Sequence, residues 1–323
     1  MKRMWTLVFA VWCAAAAQAQ LTVPGFTSYS RQGFSILVND QALSQHQAAT
    51  QNAVAYLDTL LIRITQLGLA DDILDSLRKV PIFMEWALTN GSAWYHYDVN
   101  WLIQNGYNPA KARAVEIANI SNFVTWSRQN QPMVIMHEMT HAYHDRKLGL
   151  NYAPVIAAYN AAISAGIYNS VPYNPGNGGG LFNQPAYART NYLEYFAEIT
   201  EAYLGENDYF PFDSTDLKAH DLAGFTAAKT VWRFGGTTAA GPDAAAPWQV
   251  AAFPNPVRSR LFVESTSPQP LEVQLLDLTG RVRLQETLRP QGLQLDLDGL
   301  PAGMYVLRAS AAGHRSSQTI LKY

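Results

Sequence analysis

The sequence has one cysteine, few charges, and no long basic or apolar run after its first residues. Cys13 lies in the N-terminal apolar segment, so we expect neither a disulfide nor a cysteine ligand in the rest of the chain. Charged residues make up 15% of the chain and the formal net charge is -2, which argues against nucleic acid and against a polybasic membrane anchor. No later run reaches the length of about 18 apolar residues that a membrane span requires, so no transmembrane segment is expected.

The N-terminus has the layout of a secretory signal peptide. Met1-Lys-Arg is positively charged, residues 4–17 are largely apolar, and Ala17-Gln-Ala19 places small residues around a cleavage position. We therefore predict that residues 1–19 are a signal peptide and that the protein is exported.

The segment His137-Glu-Met-Thr-His141 follows the pattern HExxH. On a helix the two histidines would be about 40° apart around the axis and about 6 Å apart along it, so both imidazoles can reach one cation. Glu138 can then act as a general base on a water molecule beside the metal. Pro132 favours a helix start before the motif and Gly149 a helix end after it. The alternative is an ordinary amphipathic helix with two histidines on its polar edge.

A third ligand must be an acid or another histidine, because the chain after its leader has no cysteine. Glu194, Glu198 and Glu201 are spaced at i, i+4 and i+7 and would share one face of a second helix. Either Glu194 or Glu198 can complete the site on these grounds. Glu194 also fits a capping box, since it follows Asn191 by three residues.

The stretch Tyr187-Ala-Arg-Thr-Asn-Tyr-Leu-Glu-Tyr-Phe-Ala-Glu198 resembles the zinc-ligand helix of anthrax lethal factor-like metallopeptidases. These enzymes pair HExxH with a downstream glutamate and are called gluzincins. The resemblance covers roughly residues 80 to 232. It implies one zinc ion per chain, held by the two histidines of the motif and Glu194. It also implies that Tyr187 stabilises the oxyanion of the reaction, and that Glu198 lies just outside the ligand set.

Two residues after the motif are expected to support the site without binding the ion. His144 would stand about 10 Å from His137 along the helix, too far for both to bind one ion without a bend. We interpret His144 as a supporting or packing histidine. Asp145 follows His141 by four residues and is placed to orient an imidazole.

Residues 20–234 are predicted to form a mainly helical, zincin-like metallopeptidase domain with a small sheet. Helices are predicted over 41–78, 152–167 and 215–234, and strands over 80–86 and 114–117. The later strand is predicted to be the edge against which a peptide substrate binds, and a buried strand without substrate is the alternative. The glycine-rich loop 174–180 is either a mobile flap over the cleft or a solvent loop.

The composition changes after Phe234. Residues 235–250 are rich in small residues and are predicted to be a linker. Over residues 251–323 the apolar period becomes two, which predicts a small all-β sandwich of immunoglobulin-like type. Pro254-Asn-Pro256 and Leu300-Pro-Ala-Gly-Met-Tyr305 resemble the C-terminal sorting domain of proteins exported by the bacterial type IX secretion system. This resemblance implies the secretion machinery as a partner and a place outside the cell or on its outer surface; a carbohydrate-binding or spacer module is the alternative.

These patterns together predict an α+β, secreted zinc-dependent metallopeptidase that hydrolyses peptide bonds of a peptide or protein substrate. Two alternatives stay open. A catalytically inert surface binding protein would be expected to lose Glu138, Tyr187 or a metal ligand, and none is missing. A zinc amidase acting on a non-protein amide would use the same chemistry.

Overall fold

A computed structural model gives the fold of residues 21–88, 93–176, 178–234, 248–255, 257–277, 280–290, 292–311 and 314–322. The predicted signal peptide and residues 235–247 of the predicted linker lie outside the described residues. The described chain mixes helices and strands up to residue 234 and is built from strands after residue 248.

Helices are the commonest element of the described chain up to residue 234. They are α1 (Asp40–Gln45), α2 (Gln47–Gln66), α3 (Asp71–Arg78), α4 (Val99–Gln104), α5 (Ile120–Asn130), α6 (Val134–Tyr143), α7 (Ala153–Ala165), α8 (Tyr192–Leu204), α9 (Ser214–His220) and α10 (Leu222–Val231). The helices predicted over 41–78, 152–167 and 215–234 are confirmed. The apolar positions that predicted α2, such as Leu57 and Leu61, are fully buried. Helices α4 and α5 are additional.

A five-stranded sheet lies beside the helices in the described part of the chain. Its strands are β1 (Phe26–Arg31), β2 (Phe34–Asn39), β3 (Ile82–Met84), β4 (Ala93–Tyr95) and β5 (Val115–Ile117). The spatial order is β1-β2-β3-β5-β4, in which β2, β3 and β5 are parallel and the two outer strands are antiparallel to their neighbours. Strands β6 (Val171–Tyr173) and β7 (Phe182–Gln184) form a separate hairpin.

The prediction that residues 114–117 form the edge strand is wrong. Strand β5 lies between β3 and β4, and all three of its residues are buried. The short antiparallel strand β4 occupies the edge instead. The sequence pattern of β5 identifies a buried strand. It does not show that β4, which comes from an earlier part of the chain, pairs with the outer side of β5.

Helix α6 lies at the centre of this part of the molecule. It packs against β4 on one side and against α8 on another. Every residue from Val134 to Ala142 is buried, including both histidines of the motif. The HExxH segment is therefore helical, as predicted, and its helix continues into a π-helical turn over His144–Leu148 before Gly149.

The residues after 248 form two sheets with one core between them. The strands are β8 (Val250–Phe253), β9 (Arg260–Ser265), β10 (Leu271–Asp277), β11 (Val282–Leu288), β12 (Leu293–Asp296), β13 (Gly303–Ala311) and β14 (His314–Lys322). One sheet has the order β12-β9-β8 and the other β11-β10-β13-β14. Leu261 from the first sheet and Leu307 from the second belong to the same buried cluster. The all-β prediction is confirmed, and the immunoglobulin-like type stays a prediction.

The strand-rich tail packs directly on the helical part. Phe253 of β8 is buried and stacks on Phe234, with ring centroids 4.9 Å apart. The ring of Tyr203, from the end of α8, lies 5.1 Å from the same phenylalanine. Lys229 of α10 pairs with Glu264 of β9 at 2.5 Å. The two parts therefore share apolar contacts as well as an ion pair.

Candidate metal centre

Helix α6 presents both histidines of the motif on one face. His137 and His141 are 4% and 5% exposed, and their ring centroids are 4.9 Å apart. The Nε2 atoms of both rings point to one oxygen of Glu194. The distances to Glu194 Oε2 are 3.2 Å from His137 and 3.3 Å from His141.

Helix α8 brings Glu194 to this point. Asn191 caps the helix, because its side chain accepts hydrogen bonds from the backbone N–H groups of Leu193 and Glu194. The bond from the Glu194 N–H is one half of the predicted capping box, and the carboxylate of Glu194 meets the histidines. Burial alone would raise the pKa of Glu194, but the hydrogen bonds to His137 and His141 lower it well below its ordinary value.

The three side chains are close enough together to share one ion. The ligand atoms of His137, His141 and Glu194 all lie within 4.8 Å of one another. Ligands of a tetrahedral ion, at about 2.0–2.1 Å from it, stand about 3.3 Å apart. The distances from the two nitrogens to Glu194 match that spacing, so these residues could hold one ion.

Two buried glutamates lie near the Nδ1 atom of His137. Its Nδ1 atom is 2.6 Å from Glu201 Oε1 and 3.8 Å from Glu198 Oε1. Glu198 also accepts a hydrogen bond from Asn207 at 3.3 Å, and burial raises its pKa well above the ordinary value. His137, Glu198 and Glu201 form a second cluster of metal-ligating type, but all three are buried. The set with Glu194 faces the open cleft.

Glu201 is therefore the direct partner of His137, and Glu198, which the resemblance places just outside the ligand set, lies further from that ring. The i, i+4 and i+7 spacing placed all three glutamates on one face of α8, but it does not distinguish which of them meets the Nδ1 atom of His137.

The predicted supporting residues Asp145 and His144 do not reach the metal centre. Asp145 accepts hydrogen bonds from Tyr95 Oη at 2.7 Å and Arg113 Nε at 2.9 Å. It misses His141 because the π-helical turn begins at His144 and changes the residue spacing. His144 is fully buried, and neither of its ring nitrogens has a hydrogen-bond partner among the described residues. It is a packing histidine.

The packing of His144 is aromatic. Its ring lies 5.2 Å from Phe196 and 6.1 Å from Tyr192, both on α8. Burial lowers its pKa to about 4, so the ring stays neutral at pH 7 and joins α6 to α8 without a charge.

Glu138 and Tyr187 line the same cleft. Glu138 is 7% exposed, and burial raises its pKa above the ordinary value, while a hydrogen bond from the backbone of Tyr95 lowers it in part. Tyr187 is 43% exposed, and its ring centroid is 6.4 Å from that of His137. Both were predicted site residues, and the fold brings them to one cleft although they are 49 positions apart in the sequence.

The cleft has a volume of about 440 Å³. Its floor contains the three candidate ligands and Glu138. Aromatic side chains form much of its walls, and they are Trp94, Tyr95, Tyr97, Trp126, Tyr173, Tyr187 and Tyr209. Strand β4, at the edge of the described sheet, borders it, so an extended chain could lie along this strand.

The glycine-rich loop 174–180 joins β6 to β7. Gly176 has a φ of +68°, and a Cβ on it would lie 1.3 Å from the carbonyl oxygen of Gln129 in α5. Gly178 also has a positive φ, of 80°, but a Cβ there would meet no atom within 4 Å. Gly176 thus packs against α5, so this end of the loop is not surrounded by solvent. The role of the loop as a flap over the cleft stays a prediction.

A comparison with known protein families identifies the tail. Residues 251–322 match the model of the secretion system C-terminal sorting domain. The protein is therefore secreted through the type IX system, whose machinery this domain contacts, and proteins of this kind are often attached to the cell surface. No curated protein matches the chain. None of the helices described for this secreted protein has both the length and the apolar character needed to cross a bilayer.

Proposed function

We propose that this secreted protein is a zinc-dependent metallopeptidase of the gluzincin type. The observation that supports this most strongly is the meeting of two histidine Nε2 atoms at one oxygen of Glu194, at 3.2 and 3.3 Å. Two nitrogens and one carboxylate oxygen are the ligand set of a catalytic zinc site, which leaves a position for substrate or water. The resemblance of the two helices to lethal factor-like gluzincins supports the same conclusion.

Glu138 would act as the general base. Zinc, when bound, lowers the pKa of a nearby water molecule and polarises a carbonyl group. Glu138 lies next to His137 in the sequence and lines the same cleft, so its carboxylate can take a proton from attacking water and deliver it to the departing amine. Its buried position raises its pKa above the ordinary value, which makes the carboxylate a stronger base.

Tyr187 would stabilise the negative charge that develops on the carbonyl oxygen. Its pKa is raised, by burial first and then by the charge of Glu194, so the phenol keeps its proton and can donate a hydrogen bond. A donor of this kind contributes more in the transition state than in the ground state. We expect Tyr187→Phe to lower kcat by about 10²–10³-fold with little change in KM.

The substrate would be a peptide in extended conformation. Strand β4 is an edge strand of the described sheet and borders the cleft, so it can bind a peptide through the backbone groups that Glu138 does not occupy. The backbone of Tyr95 in this strand also contacts Glu138, so a peptide on β4 would lie next to the general base.

The decisive experiment is a digest of a proteome-derived peptide library by the purified protein. Wild type with zinc should cleave peptides, and Glu138→Gln should lose about 10²–10⁴-fold in rate while still binding zinc. A chelator should abolish cleavage, and added zinc should restore it.

Three results would contradict the proposal in different ways. Equal cleavage by wild type and Glu138→Gln would remove the general base. Cleavage by neither, with zinc bound, would favour an inert surface binding protein. Hydrolysis of non-protein amides alone would favour the amidase.

A further inference from the structure

Tyr97 carries an unexplained hydroxyl group in the wall of the metal cleft. The residue lies two positions after the end of β4, and its side chain lines the cleft together with His141 and Glu194. Its Oη atom is buried and has no hydrogen-bond partner among the described residues. Leaving a buried hydroxyl without a partner costs about 1–3 kcal/mol, so such a group in a candidate site calls for an acceptor.

The ring of Tyr97 is held in place from two sides. It meets the ring of His141 edge-on, with centroids 6.0 Å apart, and the ring of Tyr95 edge-on at 4.9 Å. These contacts fix the ring beside a candidate ligand. Because a tyrosine hydroxyl ordinarily titrates near pH 10, Tyr97 offers a proton to an acceptor at neutral pH.

Glu194 has a carboxylate oxygen that could accept a hydrogen bond from the Tyr97 hydroxyl. Its contacts with His137 and His141 both use Oε2, which leaves Oε1 as the second oxygen of the carboxylate. Burial raises the pKa of Tyr97 and the charge of Glu194 raises it further, so the phenol keeps its proton as a donor. Carboxylates that bind metals are commonly hydrogen-bonded through the oxygen that does not bind the ion, which fixes their orientation.

We infer that Tyr97 is a positioning residue that donates a hydrogen bond to Glu194 when Glu194 binds the metal. The inference rests on the proposed function only in requiring a metal at His137, His141 and Glu194. Tyr97 and Tyr187 then have different tasks, although both are phenols of one cleft. Tyr187 lies beside His137 and acts on the substrate, whereas Tyr97 lies beside His141 and acts on a ligand.

Zinc affinity of the full-length protein, measured by competition with a chromophoric chelator, tests this assignment. Tyr97→Phe should weaken zinc binding by about 10–100-fold, as the loss of a partner to a metal ligand usually does. The thermal midpoint of the metal-free variant should not fall, because only an unpartnered hydroxyl is removed. Its peptidase activity should return at saturating zinc.

Tyr187→Phe is the matched control, since it removes the same group from the same cleft. It should retain wild-type zinc affinity and keep its loss of activity at saturating zinc. If Tyr97→Phe keeps wild-type zinc affinity, the inference is overturned but the proposed function is not. The same holds if the variant keeps that affinity and only its kcat falls. A wild-type protein that binds no zinc would overturn the proposed function along with it.

Discussion

His137 is held at both of its ring nitrogens. Nε2 faces Glu194 at 3.2 Å, and Nδ1 faces Glu201 at 2.6 Å. A carboxylate on Nδ1 fixes the tautomer and orientation of an imidazole and strengthens it as a ligand. This arrangement explains why a fully buried acid is tolerated in the last turn of α8.

Glu201→Gln is therefore expected to weaken zinc binding by about tenfold or more, because the amide carries no charge to hold the Nδ1 proton. Chelator competition with purified protein measures the change. Glu198→Gln is the matched control on the same helix, and its effect should be smaller because Glu198 Oε1 is 3.8 Å from Nδ1. A greater loss in the Glu198 variant would reverse the assignment.

A second buried charge cluster lies in the sheet. Glu116 of β5 is fully buried and contacts both His96, at 2.6 Å, and Lys111. Lys111 also pairs with Glu85 at 2.7 Å. Burial alone would raise the pKa of Glu116, but the hydrogen bond with His96 and the charge of Lys111 lower it below its ordinary value.

This shift makes stability depend on pH in the acid range. An unfolded glutamate titrates near pH 4.3, so the contribution of Glu116 is complete above that pH and is lost as the pH falls through its lower folded pKa. Glu116→Gln should cost about 3–5 kcal/mol at pH 7, since it breaks a buried pair. The variant should also lose less stability than the wild type as the pH falls.

Urea unfolding between pH 7 and pH 3 measures both effects. The exposed residue Glu286 supplies the control, and Glu286→Gln should leave the profile unchanged. A wild-type acid profile in Glu116→Gln would contradict the role of this cluster.

At the scale of elements, the site depends on a few close contacts between segments. Helices α6 and α8 carry the candidate ligands, and the hairpin β6–β7 reaches α5 through its loop. Gly176 allows that approach, because any side chain there would collide with the backbone of Gln129.

Gly176→Ala should displace the hairpin from α5. Both Gly176 and Gly178 have a positive φ, so alanine at either position carries a strain of about 1–2 kcal/mol. Only the first also meets a backbone oxygen, which should add about 1–3 kcal/mol to its loss of stability. Thermal unfolding of the two variants gives the comparison, and equal losses would show that the loop does not pack on α5.

At the scale of the whole molecule, the sorting domain and the helical part share a core. Phe253 of β8 belongs to the same buried cluster as Tyr203 and Trp232 of the helical part. The sorting domain also has a core of its own, which includes Leu307. Tyr203 stands at the end of α8, so the contact extends to the helix that carries Glu194.

Phe253→Ala should therefore destabilise the helical part by about 3–5 kcal/mol, as expected for loss of a buried phenylalanine. Calorimetry of the full chain should show the helical part unfolding at a lower temperature. Leu307→Ala is the control, because it opens a cavity inside the sorting domain alone. A helical part unaffected by Phe253→Ala would mean that the shared core contributes nothing to stability.

Local patterns in the sequence were sufficient to predict many of the helices and strands and the export route. HExxH determines that both histidines share one face, because helix geometry sets that relation over four residues. The period-two pattern after residue 251 likewise identified strands, and the sorting-domain motifs identified the export route. These features depend on neighbouring residues, so they can be read without knowing the fold. The roles of the site residues are still proposals.

Long-range packing decided the rest. Glu194 and Glu201 lie 57 and 64 residues from His137, and spacing along α8 cannot say which nitrogen each will meet. The edge position of β4, the displacement of Asp145 by the π-helical turn and the placement of Tyr97 were likewise absent from the pattern. Each depends on which distant segments pack together, because burial and pairing energies are summed over the whole chain rather than set by adjacent residues.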